Sequence, residues 1–177
     1  MPTDEQPEIK LSQHDLEKCL QFTDLYTKAC QARNAQQKHG HFSAEKKHQQ
    51  ILQGYLGERA VGLYFDYSTV YKPYDKNIRD VLGYEVRTVK HGNKLLLTYL
   101  DDCDADYINV SLNYENMTAT LKGWSSLQRT FKKSNWLDGP RWHTPCYGMP
   151  ENQLWPMDTL PASSELIRWH AYQKEIA

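Results

Sequence analysis

The segment Asp-Val-Leu-Gly-Tyr-Glu-Val-Arg-Thr, residues 80–88, predicts a tight turn that runs into a β-strand. Gly83 supplies the backbone freedom that such a turn needs. The residues after it alternate in polarity as those of a half-buried strand do. Because successive side chains of a strand point to opposite faces, Glu85 and Arg87 are expected on one face and the apolar side chains on the other.

This arrangement places a carboxylate next to a cation, with a second carboxylate, Asp80, just upstream. Carboxylate oxygens are the ligands that Mg²⁺ prefers, and the guanidinium of Arg87 is suited to a phosphate oxygen. A metal and a phosphate are therefore one interpretation of the segment. The other is an ordinary ion pair between Glu85 and Arg87 on the surface of an edge strand, which contributes little to stability.

The composition indicates a single folded domain in a chain of 177 residues with a net charge of −1. Twelve Tyr and five Trp argue against a disordered chain. The sequence has no long apolar run and a polar, acidic start, so we expect a soluble, cytoplasmic protein without a membrane segment. We expect residues 1–11 to be a disordered lead-in and residues 12–177 to form the domain.

Two helices are predicted before the central segment. Ser12 and Asp15 have the spacing of a capping box, and the helix that they begin extends to about Gln37. Ser43 begins a second helix that covers about residues 44–65 and contains Glu58. From its neighbours, Glu58 is either an ordinary exposed helix residue or a functional carboxylate at the rim of a cleft.

The rest of the chain predicts strands, a short helix and a final helix. Turn signals between the apolar segments favour an antiparallel meander. The acid-rich residues 101–106 are interpreted as a solvated turn, and a helix is expected at 125–133. Residues 136–161 are rich in Pro and Trp and predict an ordered loop, followed by a helix at 165–175. The meander strands are expected at residues 84–89, 94–100, 106–112 and 117–123.

The charge distribution gives two alternatives for nucleic-acid binding. A dedicated binder is usually basic overall, and this chain is not. Its charge is uneven, however, because residues 122–141 contain five cations and one acid. This stretch forms either a local basic face or an ordinary solvated surface. The candidate nucleic-acid-binding residues are Arg87, Lys90, Lys94, Lys122, Arg129, Lys132, Lys133 and Arg141.

A series of short motifs resembles the PD-(D/E)XK nuclease superfamily, and in particular its small phage and bacterial proteins. The likeness lies in the order of the motifs, and it covers about residues 45–157. In chain order the motifs are Gly57-Glu58-Arg59-Ala60-Val61, residues 80–87, Leu95-Leu96-Leu97, the acidic turn 101–106, the strand 107–110, Gly123-Trp124 and residues 150–156.

This resemblance implies an α+β, restriction-endonuclease-like fold: a mixed central sheet flanked by helices, with an extra N-terminal helix and a C-terminal helix. It also implies a metal centre in which Glu58, Asp80 and Glu85 hold Mg²⁺ or Mn²⁺. Arg87 stands where the superfamily usually has Lys. In that chemistry the ion activates a water that attacks a phosphodiester, and the neighbouring cation meets the developing charge.

Arg87 is a departure from the pattern, since Arg cannot deprotonate and is suited to bidentate phosphate contact. Two functions follow. The first is Mg²⁺-dependent hydrolysis of DNA. The second is a catalytically inactive, nuclease-like phage accessory protein that binds nucleic acid or a protein partner, in the cytoplasm of a bacterial host. A third interpretation, a purely structural interaction protein, makes the carboxylate set a coincidence.

Overall fold

The computed structural model describes residues 6–32, 43–69, 79–138 and 144–176. Short 3-10 helices lie at Lys133–Asn135, Glu151–Gln153 and Met157–Thr159. The other elements are β1 (Glu8–Lys10), α1 (Gln13–Ala32), α2 (Ala44–Tyr64), β2 (Glu85–Lys90), β3 (Leu95–Thr98), β4 (Asp106–Asn113), β5 (Thr118–Ser126), α3 (Leu127–Thr130), β6 (Trp136–Leu137), β7 (Cys146–Pro150) and α4 (Ser164–Ile176).

The main sheet has the strand order β1-β5-β4-β2 and is mixed. β5 runs antiparallel to both β1 and β4, whereas β4 and β2 are parallel. Helices flank the sheet: α1 and α2 lie between β1 and β2 along the chain, and α4 follows the last strand. This arrangement confirms the predicted α+β class with a mixed sheet and flanking helices. The specific likeness to restriction endonucleases stays a prediction.

A second sheet, β3-β7-β6, is antiparallel and separate from the first. The predicted antiparallel meander is therefore wrong. A meander would pair β2 with β3, but β2 pairs with β4 in parallel, from Glu85 opposite Tyr107 to Lys90 opposite Leu112. Parallel neighbours need a crossover connection, and residues 91–105, which include β3, provide it.

The predicted helix starts are confirmed. The backbone N–H of Ser12 donates to Asp15 Oδ2 at 2.8 Å, and the N–H of Asp15 donates to Ser12 Oγ at 3.2 Å. At α2 the side chain of Ser43 accepts from the N–H of Lys46 at 3.3 Å. These bonds satisfy donors that a helix start otherwise leaves without partners. The predicted end of the first helix, near residue 37, lies outside the described residues.

Asp15 also joins α1 to α2. Its Oδ1 accepts from Arg59 Nε at 2.7 Å, and both side chains are largely buried. Burial alone would raise the pKa of the Asp15 carboxyl, but hydrogen bonds from Ser12 and the ion pair with Arg59 lower it overall. The charged form of Asp15 is therefore part of the helix packing.

The N-terminal segment differs from the prediction of a disordered lead-in over residues 1–11. Residues 8–10 form β1, which pairs with β5 from Glu8 opposite Thr120 to Lys10 opposite Thr118. Leu11 is buried in the main core. The pairing supplies backbone partners that the local sequence could not indicate. Residues 1–5 lie outside the described part of the chain.

Two further predictions need correction, and one is confirmed. The helix expected at 125–133 is only α3, Leu127–Thr130, because β5 continues to Ser126. The loop expected at 136–161 contains β6, β7 and two of the 3-10 helices. Pairing with β3 converts this Pro- and Trp-rich segment into strands. The predicted terminal helix is confirmed as α4.

The two faces of β2 lie in different environments. On one face α2 comes so close to the strand that a Cβ added at Gly57 would overlap the hydroxyl of Thr88. Gln53 Nε2, also on α2, donates to the carbonyl of Thr88 at 2.6 Å. On the other side of the sheet, Tyr107 belongs to a smaller core with Leu96, Leu127 and Met149. Glu85 and Arg87 point toward this second side, away from α2.

Candidate functional site

The turn before β2 is a two-residue hairpin. Val81 and Tyr84 exchange both backbone hydrogen bonds, at 3.1 and 2.9 Å. Leu82 and Gly83 between them have φ values of 48° and 87°, the conformation that this turn type requires. The hydroxyl of Ser163, at the start of α4, donates to the carbonyl of Leu82. The C-terminal segment therefore holds the turn and, with it, the first residue of β2.

Glu85 and Arg87 lie on one face of β2, as predicted. Arg87 Nη1 is 3.7 Å from Glu85 Oε2. The other oxygen of Glu85, Oε1, is 3.6 Å from Nη1 of Arg79, which precedes the turn. The Glu85 side chain is 12% exposed. Glu85 therefore sits between two guanidinium groups, and the sequence analysis did not include Arg79.

The closest partner of Arg87 is Asp102. Arg87 Nη2 lies 2.9 Å from Asp102 Oδ2, and the guanidinium stands over the ring of Tyr107 at 5.0 Å from its centroid. Burial alone would lower the pKa of Arg87, but the neighbouring Asp102 carboxylate raises it overall. Within the described part of the chain, Arg87 Nε is buried and has no hydrogen-bond partner. Arg87 is thus a permanent, partly buried cation with one close ion pair, to Asp102.

Asp102 is a second residue of this cluster that the sequence did not predict. Residues 101–106 were interpreted as a solvated turn, but the Asp102 side chain is only 5% exposed. Its Oδ2 also accepts from the N–H of Tyr99 at 2.9 Å. The neighbouring Asp101 and Asp104 are exposed. No local signal separates the three acids, because the burial of Asp102 depends on a partner in another strand.

The side chain of Asp80 binds the backbone of β2 at the outer edge of this strand. Its Oδ2 accepts from the N–H of Val86 at 2.8 Å. β2 is an edge strand, so this N–H points away from β4 and needs such a partner. The charge of Asp80 also contributes to the raised pKa of Arg87, after that of Asp102. Asp80, Glu85 and Arg87 therefore form one cluster.

Glu58 is placed on α2, the element that packs on the opposite side of β2 from this cluster. Its charge contributes, after burial and Asp15, to a pKa of about 12 for the Cys19 thiol on α1. Within the described ranges, no group of three or more His, Cys, Asp or Glu side chains is arranged to hold a metal ion. Binding of Mg²⁺ or Mn²⁺ by Glu58, Asp80 and Glu85 stays a prediction.

The predicted basic residues fall into two groups. Arg87, Lys90 and Lys94 belong to β2 or to the turn after it, and the two lysines are exposed. The other group follows β5 along the chain, and in it Lys132 and Lys133 are exposed. Arg141 lies outside the described residues.

The ammonium group of Lys122 already has partners within the protein. Its Nζ lies 3.1 Å from Glu151 Oε1 and donates to Gln6 Oε1 at 3.0 Å. Of the other cations predicted on this stretch, Arg129 contacts an aromatic ring, and Lys132 and Lys133 are exposed.

We use the name α3 surface for five residues: Arg129 on α3, Lys132, Lys133 and Trp136 in the segment that follows it, and Trp155, which contacts Arg129. Arg129 stands over the ring of Trp155 at 4.0 Å from its centroid. Trp155 is 39% exposed and Trp136 is 36% exposed. The sequence signal for these rings was the Trp-rich composition after residue 135, which the analysis assigned only to a loop.

Inner aromatic rings support the exposed ones. Trp155 packs on Trp124, with 4.6 Å between the ring centroids. Trp136 packs edge-on against Tyr147 at 5.0 Å, and Tyr147 packs on Phe131 at 4.7 Å. Large rings held in this way can present a stacking face to a ligand without reorganising.

Comparison with protein-family models, curated proteins and solved structures finds no match for this chain. The resemblance to the PD-(D/E)XK superfamily therefore rests on the sequence pattern alone. In the part of the chain that the structure describes, no helix combines the length and the hydrophobicity of a membrane span.

Proposed function

We propose that this chain is a nuclease-like protein that binds nucleic acid, DNA in preference to RNA, and that the protein does not hydrolyse the nucleic acid it binds. One observation carries the proposal: both carboxylate oxygens of Glu85 face guanidinium groups, those of Arg79 and Arg87, at 3.6 and 3.7 Å. The proposal includes the cytoplasmic setting, as for a phage protein in a bacterial host, that the sequence predicts.

The cluster around Glu85 opposes metal binding in three ways. An Mg²⁺ ion takes oxygen ligands at about 2.1 Å, so it would have to displace two cations from Glu85. Asp80 already holds the N–H of Val86 through Oδ2 at 2.8 Å. A divalent ion placed beside Arg79 and Arg87 would also meet their like charge, which disfavours binding.

The α3 surface supplies features that suit nucleic acid. Exposed cations attract the phosphate backbone. Exposed aromatic rings offer stacking faces to unpaired bases, and a guanidinium over a ring adds to this. Lys132 and Lys133 lie in sequence between α3 and Trp136, so cations and rings alternate there. This combination favours single-stranded over double-stranded targets.

The proposal is tested by fluorescence anisotropy with labelled single-stranded DNA, duplex DNA and RNA of equal length. The Lys132→Glu/Lys133→Glu variant should bind single-stranded DNA at least about tenfold more weakly, and the slope of log affinity against log salt should fall by about 1.5. The matched control is Lys28→Glu/Lys174→Glu, which makes the same charge change on exposed residues of α1 and α4. Equal losses in both variants, or no binding by the wild type, would contradict the proposal.

A second candidate, Mg²⁺-dependent hydrolysis, is favoured by the shared position of Asp80, Glu85 and Arg87 in one cluster. If it holds, the wild type should cleave DNA with Mg²⁺ or Mn²⁺, and Asp80→Ala or Glu85→Ala should abolish cleavage. Arg87→Lys, which restores the residue usual in the superfamily, should keep or raise the activity. If the first proposal holds, no metal supports cleavage and Asp80→Ala leaves DNA binding almost unchanged.

A further inference from the structure

An open cleft of about 790 Å³ lies beside the outer edge of β2. One wall is formed by the first turns of α2, and the opposite wall by residues of β3 and the segment after it. Its volume lies in the range of sites for small organic ligands. Gln53 of α2, which lines the cleft, donates to the carbonyl of Thr88 at 2.6 Å and so ties α2 to β2 there.

The charge of the cleft is positive. Its lining includes the cations Lys46, Arg87 and Lys90, and no Asp or Glu among the described residues. Asp102 and Glu85 pair with the terminal nitrogens of Arg87, but they do not line the cleft. The Nε of Arg87 is buried and has no hydrogen-bond partner among the residues that the structure describes. Cations in a concave wall concentrate the positive potential, so an anionic group is the ligand that it attracts.

The remaining lining is aromatic, apolar and amide-bearing. The rings of Tyr99 and Tyr114 line the cleft together with Leu97. Gln49 and Gln50 line the α2 side. Rings and a leucine form a surface for a flat ligand, whereas amides can both donate to and accept from the edge of a base. A simple anion such as inorganic phosphate would need neither the aromatic rings nor the amides.

We propose that this cleft binds a nucleoside phosphate, whose phosphate lies against Lys46, Arg87 and Lys90 and whose base lies against the tyrosine side. The nucleotide is either free or the end of a strand, since both present the same chemistry. The inference does not depend on the proposed function, because none of the residues of the α3 surface lines the cleft.

Isothermal titration of the full chain with nucleoside 5′-monophosphates tests the proposal. A monophosphate should bind at least about tenfold more tightly than either its nucleoside or inorganic phosphate, because each lacks one half of the recognition. The Lys46→Ala/Lys90→Ala variant should lose about tenfold or more in affinity. The matched control, Lys28→Ala/Lys47→Ala, removes the same charge from α1 and α2 outside the cleft and should not.

A tyrosine variant tests the contact with the base, and a pair of oligonucleotides identifies the source of the nucleotide. Tyr114→Ala, at an exposed position, should weaken nucleotide binding and leave the weak binding of inorganic phosphate unchanged. Oligonucleotides with and without a 5′-phosphate separate the two sources: a strand end is the ligand if only the phosphorylated strand competes with the monophosphate. Competition by neither strand makes the free nucleotide the ligand.

Three results would overturn the proposal: no binding of any monophosphate or phosphorylated strand, equal binding of inorganic phosphate and nucleotide, or equal loss in the cleft and control variants. The Lys132→Glu/Lys133→Glu variant keeps this test separate from the proposed function. It should bind the monophosphate as the wild type does, even where it has lost DNA.

Discussion

Replacing Asp102 by Ala should destabilise the protein more than any substitution of its acidic neighbours. The side chains of Asp102 and Arg87 are 5% and 27% exposed, and their polar atoms are 2.9 Å apart. In Asp102→Ala the guanidinium stays beside the Tyr107 ring with Glu85 at 3.7 Å as its remaining carboxylate. The N–H of Tyr99 also loses its acceptor.

The expected loss of stability in Asp102→Ala follows from how deeply the ion pair is buried. Removing one partner of a fully buried ion pair costs about 3–5 kcal/mol, because the other charge is left uncompensated. Arg87 is about a quarter exposed, so water compensates part of this loss, and we expect about 2–3 kcal/mol. For a domain of this size the midpoint of thermal unfolding should fall by about 4–10 °C.

Urea denaturation of Asp102→Ala, Arg87→Met and the double variant measures the interaction free energy between the two side chains. The double-mutant cycle should give a coupling of about 1–2 kcal/mol, since removing both partners avoids the unpaired charge. Asp104→Ala is the control on the same turn, and its exposed side chain should change stability by less than about 0.5 kcal/mol. A coupling near zero, or equal losses at 102 and 104, would refute the reasoning.

Two further predictions concern the packing of α2. Gly57→Ala should cost about 1–3 kcal/mol because the new Cβ overlaps Thr88, whereas Gly54→Ala, with open space around it, should stabilise α2 by about 0.5–1 kcal/mol in the same urea assay. The pKa of Asp15 is lowered in the folded protein. Its contribution to the free energy of unfolding is therefore fully present at neutral pH and is lost as the pH falls through that lowered pKa. Asp15→Asn should therefore be less stable than the wild type at pH 7, with a difference that shrinks as the pH falls into and below the range in which an Asp carboxyl ordinarily titrates. A Gly57→Ala variant as stable as Gly54→Ala, or a difference at position 15 that does not change with pH, would contradict these predictions.

Local interactions explain what the sequence by itself determined about this protein. The capping pair Ser12 and Asp15 and the N-cap Ser43 act within four residues, so their patterns predict where α1 and α2 begin. The turn before β2 follows from Gly83, and the alternation of a strand places Glu85 and Arg87 on one face. These features depend on backbone geometry that a short segment carries with it.

The tertiary structure alone decided which distant segments meet. The parallel pairing of β2 with β4, and the pairing of β3 with β7, join segments far apart in the chain, and alternation does not specify a partner. The ion pair of Arg87 with Asp102 follows from those pairings. Burial and charge pairing are properties of the assembled layers, so only the tertiary structure separates Asp102, whose side chain is buried against Arg87, from its exposed neighbours Asp101 and Asp104.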